Sequence, residues 1–210
     1  MFGYAPVQFV QSIIRVLPKL PAYFEPYFLS SIGGYIPENR NMLVKQLIDL
    51  EKQVGKMDYV LWLDSDIEFE IEDVLELWHS IESEPKASMV SGISYAYKNG
   101  QVFPLVMRKT LGQYKWVQVD DFEEVDSASL GFVLMKAEVL RELVALKNSH
   151  RLFSFSERNF DFMGEDNMFF ELCKENGHVL FADGGVVVRH VKPIGLDEPK
   201  PFKEFKEDSE

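Results

Sequence analysis

The sequence is short of cysteine, of basic charge and of long apolar runs, and each shortage removes a class of protein. One cysteine, Cys173, occurs in 210 residues. A single thiol builds neither a disulfide framework nor a cysteine-ligated zinc site. Its setting in a helical pattern with apolar neighbours makes it a packing residue, compatible with a reducing compartment. Lys and Arg number 22 against 34 Asp and Glu, a formal net charge of −12. A chain this acidic repels phosphate backbones, so nucleic acid is not an expected partner. No apolar run reaches the roughly 20 residues of a transmembrane helix. Pro6, Arg15, Pro18 and Lys19 interrupt the first twenty residues, which therefore lack the layout of a signal peptide. The expected location is cytoplasmic, with no transmembrane segment.

What is present suits a folded domain. The 17 Phe, 8 Tyr and 3 Trp supply bulky core material, and the length fits one domain. Helical and strand-like stretches alternate, which predicts an α/β layer arrangement with a mostly parallel central sheet and flanking helices. Residues 1–195 are expected to form this domain, and the Pro-, Lys- and Glu-rich residues 196–210 a mobile acidic tail.

Val7–Leu17 has apolar residues at helical spacing and stops before Pro18. Residues 22–32 are aromatic, with a candidate strand at Tyr27–Ile32. The stretch Tyr23–Phe28 is a candidate subunit contact, so a homo-oligomer is a candidate state. Glu38–Val54 reads as an amphipathic helix ended by Gly55. Further strands are expected at Ala87–Ile93, Lys115–Val119 and within Ser127–Met135, and helices at Ile71–Ile81, Lys136–Leu146 and Glu165–Glu175. Asn99-Gly100 signals a hairpin turn between Ser94–Tyr97 and Gln101–Met107. Arg151–Phe162 reads as a loop, and Val179–Ala182 and Val186–Arg189 as short strands around Gly184-Gly185.

The chemistry concentrates at strand ends. Asp58-Tyr59-Val60-Leu61-Trp62-Leu63 is a continuous apolar run after one acidic residue, the pattern of a strand covered on both faces. It ends in Asp64-Ser65-Asp66. An Asp-x-Asp triplet is weak evidence alone, but this one follows the strongest predicted strand, where α/β sheets bind ligands. Two carboxylates there suit a Mg2+ or Mn2+ ion that joins them to an anionic diphosphate. The alternative is a solvated acidic turn that caps the helix starting at Ile71. Gly164-Glu165-Asp166 opens a helix, where acidic residues are favoured by the helix dipole. Asp166, or less directly Glu165, is also a candidate general base. Gly164 would allow close approach of a ligand to the backbone. His190 ends a Val-Val-Val-Arg run and is either structural or a metal ligand.

In this order the pieces resemble bacterial and phage glycosyltransferases of family 2 and its relatives, which have a GT-A (Rossmann-like) fold. Four segments carry the resemblance, from about residue 6 to about 195: Gly34–Asn41; Asp58–Phe69; Ser129-Leu130-Gly131-Phe132-Val133-Leu134-Met135; and Gly164-Glu165-Asp166 with Phe169-Phe170, Gly177 and His190. It implies transfer of a sugar from a nucleoside-diphosphate donor, such as a UDP- or GDP-sugar, to an unidentified acceptor hydroxyl, with inversion. Asp66 would ligate the metal, with Asp64 near the metal or ribose and His190 a further ligand. Arg40 would lie by the donor nucleotide or brace the Asp-Ser-Asp loop. Asp166 would be the base, and Gly131 and Phe132 would border the acceptor. The family opens with an apolar strand and a base-binding loop; here the chain begins close to that loop, so the first strand is expected to be shortened or missing. The alternatives are a catalytically reduced protein that binds a nucleotide sugar, and a haloacid-dehalogenase-like phosphatase with Asp64 as nucleophile.

Overall fold

The computed structural model describes residues 5–98, 101–158 and 161–191. In chain order the elements are α1 (Val7–Val16), a short 3-10 turn (Leu20–Ala22), α2 (Ile36–Val54), β1 (Tyr59–Leu63), β2 (Ile67–Glu68), α3 (Ile71–Ser83), β3 (Ala87–Ile93), β4 (Tyr95–Lys98), β5 (Gln101–Pro104), β6 (Val106–Thr110), β7 (Gln113–Trp116), β8 (Phe122–Val125), β9 (Ser127–Ala128), β10 (Phe132–Lys136), α4 (Ala137–Lys147), β11 (Ser156–Arg158), β12 (Asp161–Met163), α5 (Glu165–Glu175), β13 (Val179–Val187) and β14 (Arg189–His190). None of the described helices is long and apolar enough to cross a membrane.

Local chemistry sets the helix ends. Glu70 and Asp73 form a reciprocal capping box at the start of α3, which satisfies two otherwise orphaned backbone donors. Pro37 sits in the first turn of α2, where its missing N–H costs nothing. That helix stops at Gly55, whose φ of 101° places it outside the range comfortable for other residues.

The central sheet has five strands in the order β1-β10-β3-β13-β8. Its pairings correct the expected mostly parallel, Rossmann-like sheet. Only β3 and β13 pair in parallel, whereas β1–β10, β10–β3 and β13–β8 are antiparallel. The physical reason is that an apolar run reports cover on both faces and says nothing about direction. Because β10 runs against both of its neighbours, β1, β3 and β13 all point the same way. Their carboxyl ends therefore share one edge of the sheet with the amino end of β10.

Helices cover both faces. Alternate residues of β10 point to opposite sides. Val133 and Met135 join a core with Val44 and Leu47 of α2, Leu140 and Leu143 of α4, and Phe169, Phe170 and Cys173 of α5. Phe132 and Leu134 join a second core with Val16 of α1 and Val74, Leu77 and Ile81 of α3. Burial pushes the Cys173 thiol well above its usual pKa, so it stays protonated at neutral pH.

Other expectations change in detail. Tyr27–Ile32 forms no strand and runs as irregular chain with Tyr27, Phe28 and Ile32 exposed. The segment expected as one strand from Gln101 to Met107 divides at Pro104 and Leu105, so β5 pairs with β4 while β6 pairs with β7 and β9. Asn99-Gly100 and the 196–210 tail lie outside the described residues. The loop expected over Arg151–Phe162 contains β11, which pairs with β12. The acidic edge strand β8 has no apolar alternation to announce it.

The Gly184-Gly185 pair interrupts no strand. β13 runs through it with a register shift, and a Cβ on Gly184 would lie 2.5 Å from the backbone carbon of Asp120. Gly184→Ala is therefore expected to cost about 1–3 kcal/mol through overpacking against rigid backbone, read as a lower urea midpoint. Gly34→Ala is the control, since no described atom lies within 4 Å of its added methyl, and it should leave the midpoint unchanged.

Candidate functional site

The chain leaves β1 at Leu63 and turns at once. The Ile67 N–H donates to the Asp64 carbonyl at 3.2 Å, closing a four-residue turn over Asp64-Ser65-Asp66-Ile67. The Asp64 N–H donates to the Gly131 carbonyl at 3.0 Å, tying the turn to the start of β10. On its other side, β14 pairs with β2, matching His190 with Ile67, and the Val191 N–H donates to the Asp66 carbonyl at 2.7 Å. The turn is thus held by strand ends on both sides, which is a rigid mounting for two carboxylates.

The two carboxylates face different partners. Asp64 Oδ2 lies 3.4 Å from Arg40 Nη2. Arg40 comes from the second turn of α2 and is 5% exposed. Its Nη1 donates to Glu165 Oε1 at 3.1 Å and to Asp166 Oδ1. Glu165 and Asp166 form the first turn of α5, and the second oxygen of Asp166 accepts the Leu130 N–H at 3.3 Å. One buried guanidinium therefore gathers three carboxylates from two separate elements. Asp66 Oδ2 instead meets His190 Nε2 at 3.1 Å. His190 Nδ1 is buried with no hydrogen-bond partner among the described residues. Three carboxylates share one guanidinium and a fourth meets His190, so among the described residues the edge carries more negative than positive charge and favours a further cation.

A divalent ion fits that edge in one respect. Ligand oxygens and nitrogens about 2.1 Å from an octahedral metal stand about 3 Å apart when adjacent, which matches the Asp66–His190 separation of 3.1 Å. Among the described residues no group of three or more His, Cys, Asp or Glu side chains converges as a metal cage. Two protein donors suit an ion that takes its remaining ligands from phosphate oxygens and water, the usual arrangement for Mg2+.

The other expected residues take varied places. Ser65 is exposed at the tip of the turn. Gly131 lies against the site, where an added Cβ would sit 3.4 Å from Asp64 Oδ2. Gly164 is the N-cap of α5 with open space beside it. Phe132 is 2% exposed and packs tilted against Phe69 in the core, so its ring takes no part in the surface of the site.

Sequence reasoning missed the residues that hold Arg40. The Phe153 ring lies under the guanidinium, 5.9 Å from its carbon to the centroid. Asn41 fixes that ring from behind: its Oδ1 accepts the Leu152 and Phe153 N–H groups at 2.8 and 2.9 Å, and its Nδ2 donates to the Phe153 carbonyl at 2.9 Å. Ser127 Oγ and Asn167 Oδ1 make a further 2.5 Å bond beside Asp166. The adjacency of Arg40 and Asn41 was the only signal; the 112-residue separation of Asn41 from Phe153 left no local trace.

Comparison with known proteins adds a fold likeness. No family model matches the chain, and no curated protein matches it. Among solved structures it is similar to A197 from STIV, with a TM-score of 0.54 at 18% identity over 92% of this chain and 83% of that one. At that identity the likeness concerns the fold alone.

Proposed function

We propose that the protein transfers a sugar from a nucleoside-diphosphate donor, a UDP- or GDP-sugar, to an acceptor hydroxyl with inversion at the anomeric carbon. The observation that carries this reading is the convergence of Asp64, Asp66, Asp166 and His190 on one sheet edge from three separate segments. The resemblance of those segments to family 2 glycosyltransferases supports it. Asp66 and His190 would hold a Mn2+ or Mg2+ ion, which when bound offsets the charge of the diphosphate. Asp64 presents its carboxylate to the ribose hydroxyls. Asp166 Oδ2 takes the proton of the acceptor hydroxyl as that oxygen bonds to the anomeric carbon and the diphosphate oxygen leaves. Arg40 holds Asp166 and Asp64 in place throughout.

A specific observation favours a second reading. Both oxygens of Asp166 are engaged, by Arg40 and by the Leu130 N–H, as suits a protein that binds a nucleotide sugar without transferring it. One experiment separates the two. The full chain is incubated with UDP- and GDP-sugars and Mn2+, with and without chelator, and both binding and release of nucleoside diphosphate are followed. Chelator-sensitive release is the expected result. Tight binding with no release, to water or to any acceptor, would establish the second reading instead.

Two coarser elements belong to the same reading. The free, buried thiol of Cys173 supports a reducing, cytoplasmic setting. The exposed side chains of Tyr23, Tyr27 and Phe28 support self-association through that stretch.

A further inference from the structure

Between β3 and β10 the chain builds two small hairpins, β4–β5 and β6–β7, and adds β8 at the far edge of the central sheet. Both ends of this excursion are anchored at the edge that carries the site. The Leu105 N–H donates to the Ser94 carbonyl at 2.8 Å, directly after β3. The Ser129 N–H donates to the Leu105 carbonyl at 2.8 Å, one residue before the Leu130 N–H that meets Asp166. The hairpin strand β4 also lies against β14, which carries His190. The excursion therefore stands beside the site, between its Asp166 and His190 sides.

Its outer surface is aromatic. Trp116 of β7 is 52% exposed, and its ring rests on Phe103 of β5 with centroids 4.3 Å apart and planes 31° apart. One face of the indole is thus backed by a ring and the remainder faces water. Register ties this pair to the site, since Trp116 is matched with Met107 and Met107 with Ser127. Two strand spacings, about 10 Å, separate Trp116 from the serine whose hydroxyl bonds Asn167, the neighbour of Asp166. Of the three tryptophans, Trp62 is buried and Trp78 is half-buried against Phe24, so Trp116 alone is presented to solvent.

We infer that the acceptor is a neutral glycan, and that the Phe103-backed Trp116 ring is the platform on which one of its sugar rings stacks while the reacting hydroxyl reaches Asp166. This rests on the glycosyl-transfer reading above. A rigid, pre-packed aromatic loses little freedom on binding. A polyol with one apolar C–H face covers exposed indole without a charge being buried. The net charge of −12 disfavours an anionic acceptor, and the exposed Gln101 of β5 and Gln113 of β7, on the strands that carry the two rings, supply neutral hydrogen-bonding groups.

The test uses the full chain and a panel of tetrasaccharides: cellotetraose, maltotetraose, mannotetraose and chitotetraose. At least one should shift the Trp116 emission and protect it from quenching by iodide. Trp116→Ala should abolish both responses, and Trp116→Phe should retain binding by calorimetry. If no tetrasaccharide affects Trp116, or if binding persists unchanged in Trp116→Ala, the platform is not the acceptor site. If Trp116→Ala changes the sedimentation coefficient instead, the patch is a protein interface and the inference fails. Saccharide binding through Trp116 without any donor turnover would leave the platform standing and overturn the transfer reading alone.

Discussion

Asp166→Asn is expected to lower sugar transfer by a factor of about 10²–10⁴, the range lost when a positioned general base is removed. Asparagine has nearly the same shape, and its amide oxygen still accepts from Leu130 or Arg40, so the frame of the site should survive. What it lacks is a lone pair basic enough to take the acceptor proton. The loss should therefore fall on kcat, with KM for the donor unchanged within about twofold. Glu165→Gln is the informative companion. Glu165 is the more buried of the two and is directed to Arg40, so its loss should lower stability more than it lowers kcat. Equal turnover in Asp166→Asn and the parent would remove the base role, and with it the main reason for assigning inversion.

The strand ends were legible because acidic residues that directly follow an apolar run are chemically conspicuous. Asp64 and Asp66 stood at such a boundary, His190 ended a Val-Val-Val-Arg run and Asp166 opened a helix, and the structure brings all four to one edge. Phe132 stood at a boundary too, but its ring goes into the core, because period-two alternation decides the face and nearness to a glycine does not. Sheet direction was not legible. The run Phe132-Val133-Leu134-Met135 is buried on both faces and would read the same in either orientation. Only the pairing of Val133 with Trp62 and Ser91 reveals that it runs against both neighbours. The division of labour inside Asp-Ser-Asp was equally hidden. A tight turn points its first and third side chains to different partners, so Asp64 faces Arg40 while Asp66 faces His190. The grouping of Asp64, Glu165 and Asp166 around Arg40 spans up to 126 residues of sequence and exists only after folding.

That grouping makes Arg40→Met the most damaging single change expected for the fold near the site. Methionine matches the length of the aliphatic stem and can still pack over Phe153, so the lost quantity is the charge. Removing one partner of a buried ion pair leaves the other uncompensated and costs about 3–5 kcal/mol. Here Glu165 is the carboxylate most exposed to that cost, with its side chain 12% exposed against 23% for Asp166 and 45% for Asp64. Water can solvate Asp64 once the guanidinium is gone, but it reaches Glu165 poorly. The double variant Arg40→Met/Glu165→Gln should therefore recover a large part of the lost urea midpoint, whereas Arg40→Met/Asp64→Asn should recover little. Strictly additive midpoints in both pairs would show that Glu165 and Asp64 do not depend on Arg40. Activity should not return in either double variant, since with no guanidinium between the Asp64 turn and the start of α5, Asp166 keeps only its bond from the Leu130 N–H among the described contacts to the donor edge.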